Sequence, residues 1–151
     1  MFKNIFIVDD DEISRNFLMT VVQNEVPMDV WDFRDPEQVI EAVHNGQIPD
    51  LVITDYCMPQ MNGITLLNEL VGMLPSLCGI VVTGNPGDVN ENDHGFPVLE
   101  KAKPDFMNTL TTCMKTCFIE HYLKVFEAGL RELRDDSEDV KRQQRKESFK
   151  T

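Results

Sequence analysis

Residues 5–12 read Ile5-Phe6-Ile7-Val8-Asp9-Asp10-Asp11-Glu12, four apolar side chains followed at once by four acids. A short, continuous apolar run fits a strand covered on both faces rather than one with a wet side. The acids then mark the strand's carboxyl end and the entry to a helix whose apolar residues Ile13, Phe17, Val21 and Val22 recur at helical spacing. The pattern returns downstream. Leu51-Val52-Ile53 leads to Asp55, Ile80-Val81-Val82 to Thr83, and Pro97-Val98-Leu99 opens a fifth strand that leads to Lys103. Val30 to Phe33, interrupted by Asp32, is a weaker strand.

Helical segments fill the gaps. Asp35-Pro36-Glu37-Gln38 is a helix start with a cap, a proline in the first turn and an amide at the third position. Val39, Ile40 and Val43 form its apolar face, and Asn45-Gly46 ends it. Ile64, Leu67, Leu70 and Val71 line the next helix, which stops before Pro75. Residues 85–95, rich in Gly, Asn and Asp, predict no normal helix, whereas a long helix follows Pro104. Five strands alternating with helices predict an α/β fold, a doubly wound five-stranded parallel sheet with right-handed crossovers. In such sheets the ligand crevice lies at the carboxyl ends of the strands.

Composition narrows the function. The chain has 151 residues, 42% of them apolar, which suits one packed domain. Its 26 acidic and 14 basic side chains give a net charge of -12, which argues against nucleic acid as a partner. Acids within the first twelve residues argue against a signal peptide. The longest uncharged stretch, Leu70 to Gly87, is broken by Gly72, Pro75, Gly79 and Pro86, so no membrane span is predicted. Cys57, Cys78, Cys113 and Cys117 form no CxxC pair and read as reduced thiols of a cytoplasmic protein.

The polar residues at the strand ends carry the chemistry. Asp9, Asp10, Asp55, Thr83 and Lys103 bring three carboxylates, a hydroxyl and an ammonium to one crevice. Crowded carboxylates raise each other's pKa unless a cation joins them. Oxygen donors favour a hard divalent ion, with Mg²⁺ the expected choice. A Lys and a Thr opposite that ion supply the countercharge and the hydrogen bond that a transferring phosphoryl group needs.

With these residues in place, the chain resembles the receiver domain of two-component response regulators, of the chemotaxis-type, single-domain, flavodoxin-like kind. The resemblance rests on IFIVDDDEISR, on LVITDYCMPQMNG around Asp55, on IVVTG closing the fourth strand, and on Lys103-Pro104. The intervals match too: 45 residues from Asp10 to Asp55, 28 to Thr83 and 20 to Lys103. It implies that Asp55 accepts a phosphoryl group from a sensor histidine kinase or a histidine phosphotransfer protein. It further implies that Asp10 holds Mg²⁺ directly, Asp9 mainly through a water, and the backbone carbonyl of Cys57 supplies the remaining protein ligand. Lys103 would pair with Asp55 at rest, and Thr83 would turn to the phosphoryl oxygens. Such a protein catalyses only its own phosphorylation and dephosphorylation.

Three features depart from the family pattern. Glu100 stands three residues before Lys103, where the family usually has an aromatic residue that swings inward, and burying a carboxylate there costs several kcal/mol. The GNPGDVNENDHG segment lacks the periodicity of a fourth helix. Finally, helix-forming sequence runs past residue 122, so the expected division is a receiver over 1–124 and a helical extension with a charged tail over 125–151. In that extension Ile119, Leu123, Phe126, Leu130 and Leu133 follow a 4-3-4-3 spacing, which favours a homodimer or docking on a partner helix. From Arg131 onward charges nearly cancel, and a solvated, partly disordered tail is expected. These last residues are too few for a DNA-binding module, so output is expected to pass through another protein.

Two rivals remain. A haloacid dehalogenase-like phosphatase would use Asp9 as nucleophile and Asp11 as acid, leaving Asp55 without a role. A degenerate receiver would use the same crevice as a constitutive binding module.

Overall fold

The computed structural model of the protein describes residues 3–90 and 95–148. Five strands form one parallel sheet: β1 (Asn4–Val8), β2 (Asp29–Phe33), β3 (Leu51–Asp55), β4 (Cys78–Thr83) and β5 (Val98–Glu100), in the order β2-β1-β3-β4-β5. The sequence order reverses beside β1, between β1 and β3, and this switch point opens the crevice above their carboxyl ends. β1, β3 and β4 are buried almost throughout, as their unbroken apolar runs require.

Helices α1 (Glu12–Glu25), α2 (Pro36–His44), α3 (Gly63–Met73) and α4 (Phe106–Ser148) complete the fold. Strand alternation sends Ile5, Ile7, Ile53, Ile80 and Val82 to one face, where Leu18 and Val22 of α1 and Leu110 and Met114 of α4 cover them. Phe6, Val8, Val52 and Val81 go to the other face, under Val39 and Val43 of α2 and Leu66, Leu67 and Leu70 of α3. Three helices start on side-chain caps. Asp11 accepts from Ser14 N at 2.8 Å, Asp35 from Glu37 N at 2.8 Å, and Asn62 from Thr65 N at 2.9 Å. Each such cap contributes about 1 kcal/mol.

Between β4 and β5 the described residues contain one 3₁₀ turn, Pro86–Asp88, in keeping with the missing helical period. Glu91, Asp93 and His94 of that segment lie outside the described residues. His121 is buried: Nδ1 lies 3.0 Å from Ser76 O and Nε2 3.8 Å from Asp50 Oδ1.

The chain divides into two compact units, Met1–His121 and Tyr122–Thr151, so the first ends three residues before the expected 124. In α4, the buried residues Phe106, Leu110, Met114, Cys117 and His121 all belong to the first unit, and every described residue beyond His121 is exposed. The expected tail is a continuation of the helix through Ser148. Its composition explains this. After Gly129 there is no Gly or Pro, Arg, Lys, Glu and Gln lose little rotamer freedom in a helix, and Glu127–Arg131 and Glu138–Arg142 are oppositely charged at i,i+4. Among the described residues no helix is long and apolar enough to cross a membrane.

Candidate functional site

Parallel pairing sets the strand ends side by side, and the polar residues beyond them share one crevice. Asp9, Asp10 and Asp55 each present a carboxylate oxygen, all within 4.8 Å of one another. Asp9 is 1% exposed. It accepts from Asp11 N at 2.9 Å, Ser14 Oγ at 2.5 Å and Lys101 Nζ at 2.7 Å. Arg15 fastens the same turn, donating from Nη1 to Asp9 O and from Nε to Asp32 Oδ2, both at 2.9 Å. Asp10, by contrast, is exposed at the crevice mouth.

Lys101 is the cation at the centre. Its Nζ donates to Asp55 Oδ1, Asp9 Oδ2 and Ser14 Oγ, each at 2.7 Å. Burial alone would lower its pKa, but the hydrogen bonds and charges of Asp55 and Asp9 outweigh that and hold it above its usual value. The ammonium therefore stays charged. Burial raises the pKa of Asp55, Lys101 opposes the rise, and Asp9 and Asp10 add to it. Three carboxylates around one ammonium leave the crevice short of positive charge. With oxygen donors only and one of them open to solvent, these residues fit a hard divalent cation such as Mg²⁺.

The loop after β3 is drawn tight beneath Asp55. Gly63 N donates to Tyr56 O at 2.9 Å, and a Cβ on Gly63 would lie 2.3 Å from the Asp55 backbone oxygen. Only glycine fits that approach. Cys57 sits in this loop with its side chain exposed, and residual burial together with Asp55, Asp88 and Asp10 pushes its thiol up, so it stays protonated. Thr83 ends β4 and is buried. Its hydroxyl accepts from Asn85 N at 3.1 Å and donates to Asn85 O at 3.2 Å.

One expected residue is not in the crevice. Lys103 is 64% exposed on its side chain, and its Nζ lies 3.8 Å from Glu100 Oε2. Strand β5 ends at Glu100, whose register partner is Thr83, and Lys101 N donates to Thr83 O at 2.8 Å. Lys101 is thus the first residue past the strand end, from which its Nζ reaches Asp55 Oδ1, whereas Lys103 falls two residues later in the turn into α4. With Lys101 in the crevice, the position three residues before the lysine is Val98 rather than Glu100, and no carboxylate has to be buried there. Lys101, Ser14 and Arg15 escape the sequence reading. The Lys-Pro pair draws attention to Lys103, and only the strand's end point separates the two lysines. Ser14 carries no signal by itself; it occupies the third position of α1, from which a short side chain reaches back to Asp9.

A parallel sheet of this order, with three aspartates and a lysine at its switch point, defines a doubly wound α/β protein with an acidic crevice at its strand ends. A sequence model of the response regulator receiver domain matches residues 5–94, well over half of the chain, and the protein belongs to that family. The match ends before β5 and so leaves the choice between the lysines to geometry. Among curated proteins, the cyclic di-GMP phosphodiesterase response regulator RpfG of Xanthomonas campestris pv. campestris is 37% identical over 68 residues, 44% of this chain and 18% of its own. The DNA-binding transcriptional regulator NtrC of Proteus hauseri is 32% identical over 82 residues, 54% of this chain and 17% of its own. The chain thus spans less than a fifth of the length of these two relatives. Among solved structures, a CheY-like receiver domain protein from Methanospirillum hungatei JF-1 shares the fold at a TM-score of 0.69 and 21% identity, covering 82% of this chain and 99% of that one. The response regulator protein TrrA from Thermotoga maritima, solved with Mg²⁺ and BeF, gives a TM-score of 0.66 and 22% identity over 76% of this chain and 98% of that one.

Proposed function

We propose that Asp55 is the phosphoacceptor of a response regulator and takes its phosphoryl group from a histidine kinase or a histidine phosphotransfer protein. The observation that carries this is the Asp55 carboxylate, hydrogen-bonded to Lys101 and clustered with Asp9 and Asp10. In the reaction an Asp55 oxygen attacks phosphorus, the P–N bond of the phosphohistidine breaks, and the imidazole leaves with the electron pair. Asp9, Asp10, Asp55 and the Cys57 carbonyl would hold Mg²⁺, which would supply countercharge to the phosphoryl oxygens. Lys101 keeps its charge through the transfer and moves from a carboxylate oxygen to a phosphoryl oxygen. Thr83 exchanges its hydrogen bond to Asn85 O for one to the same group. The product adds roughly -1.5 to -2 charges at the crevice.

The chain then acts by presenting an altered protein surface in the cytoplasm and turns over no separate metabolite. The strong acidity of these 151 residues supports protein contacts over nucleic acid as their direct output. Incubation with acetyl phosphate and Mg²⁺, followed by peptide mapping, is the test. A Mg²⁺-dependent adduct on Asp55, lost in Asp55→Asn, is expected. An adduct on Asp9 would favour the dehalogenase-like alternative, and no adduct on either would favour a constitutive binding module. Against the first rival, Asp9 is enclosed by Ser14 and Lys101, and Asp11 caps α1.

A further inference from the structure

The helix α4 carries two apolar stripes. Phe106, Leu110, Met114, Cys117 and His121 are buried in the first unit. Ile119, Leu123, Phe126, Leu130, Leu133 and Val140 are exposed, most of them by more than half. At 100° per residue the two sets are centred about 170° apart, so the second stripe is not a continuation of the first. Its 4-3-4-3-7 spacing keeps one face in line only if the helix winds around another helix.

The flanking charges say which helix. In this register Leu123, Leu130, Ser137 and Gln144 occupy position a, and Ile119, Phe126, Leu133 and Val140 occupy d. Position e then reads Glu120, Glu127, Arg134, Lys141, two acids followed by two bases. Such a strip is its own complement when reversed. In an antiparallel pair, e faces e of the other helix. Setting Leu130 against Leu133 of the second copy brings Glu127 opposite Arg134 and Glu120 opposite Lys141, each twice by symmetry. The same alignment sets Leu123 against Val140. The facing g positions, Gly129 with Asp136 and Tyr122 with Gln143, bring no like charges together.

We propose that the exposed stripe of α4 is an antiparallel coiled-coil interface with a second copy of this chain, centred between Leu130 and Leu133. The proposal does not depend on Asp55 chemistry. Sedimentation equilibrium of the full chain tests it, with two charge variants: Arg134→Glu/Lys141→Glu, all acidic at e, and Glu120→Lys/Glu127→Lys, all basic. Wild type is expected to be dimeric at micromolar concentration. Each variant alone is expected to dissociate about tenfold or more readily, with an unchanged receiver unit by circular dichroism, and an equal mixture to recover the dimer. A monomeric wild type, variants that dimerise like wild type, or a mixture that stays dissociated would each overturn it. The recovery on mixing separates charge complementarity from a variant that has merely lost its fold.

Discussion

The strand-end crevice and the helix beyond His121 satisfy their side chains in opposite ways. In the crevice, Asp9, Asp55, Lys101 and Ser14 meet one another within a single unit, and each charge is answered by a group from another segment of the chain. Beyond His121, apolar side chains stand in solvent and the charges are spread along one helix. Buried polar clusters tolerate little change because an orphaned charge keeps its whole desolvation penalty. An exposed helix tolerates much within its own fold, and its apolar stripe acquires meaning only against a second surface.

That contrast is open to direct tests, the largest first. Leu67→Ala removes a fully buried side chain between α3 and β4 and is expected to cost about 2–5 kcal/mol in urea unfolding. Leu133→Ala, measured at concentrations too low for association, is expected to leave the receiver unit within about 0.5 kcal/mol of wild type. Equal costs at the two positions would erase the distinction. Gly63→Ala forces a Cβ against the Asp55 backbone oxygen, so the loop beneath Asp55 must shift, at about 1–3 kcal/mol. A neutral result would mean that this loop has slack. Smallest, Asp35→Ala removes the α2 cap, with an expected loss of about 1 kcal/mol by thermal unfolding.

Legibility in the sequence followed the same division. The central strands declare themselves because burial on both faces leaves uninterrupted apolar runs, and Asp9, Asp10 and Asp55 follow because acids end those runs. The lysine does not. β5 is three residues long, too short for its pattern to fix an end point, and Lys101 and Lys103 differ only by where the strand stops. Hydrogen bonding to Thr83 decides that, and it is a tertiary fact. Ser14 and Arg15 are invisible for a related reason, since their partners come from the β1 end, β2 and β5. In the extension, apolar spacing revealed the stripe, but the mixture of charges after Arg131 read as a tail although the same residues sustain a helix to Ser148.

The central claim is that Asp55 is phosphorylated with Lys101, rather than Lys103, as its cation. Its most direct measurement is the rate of Mg²⁺-dependent phosphorylation by acetyl phosphate, followed by intact mass, in Lys101→Ala and Lys103→Ala beside wild type. Loss of a preorganised charge at the reacting group predicts a fall of about a hundredfold or more for Lys101→Ala. Lys103→Ala, which removes an exposed ammonium 3.8 Å from Glu100, is expected to stay within about twofold of wild type. A large loss in Lys103→Ala with Lys101→Ala near wild type would contradict the account.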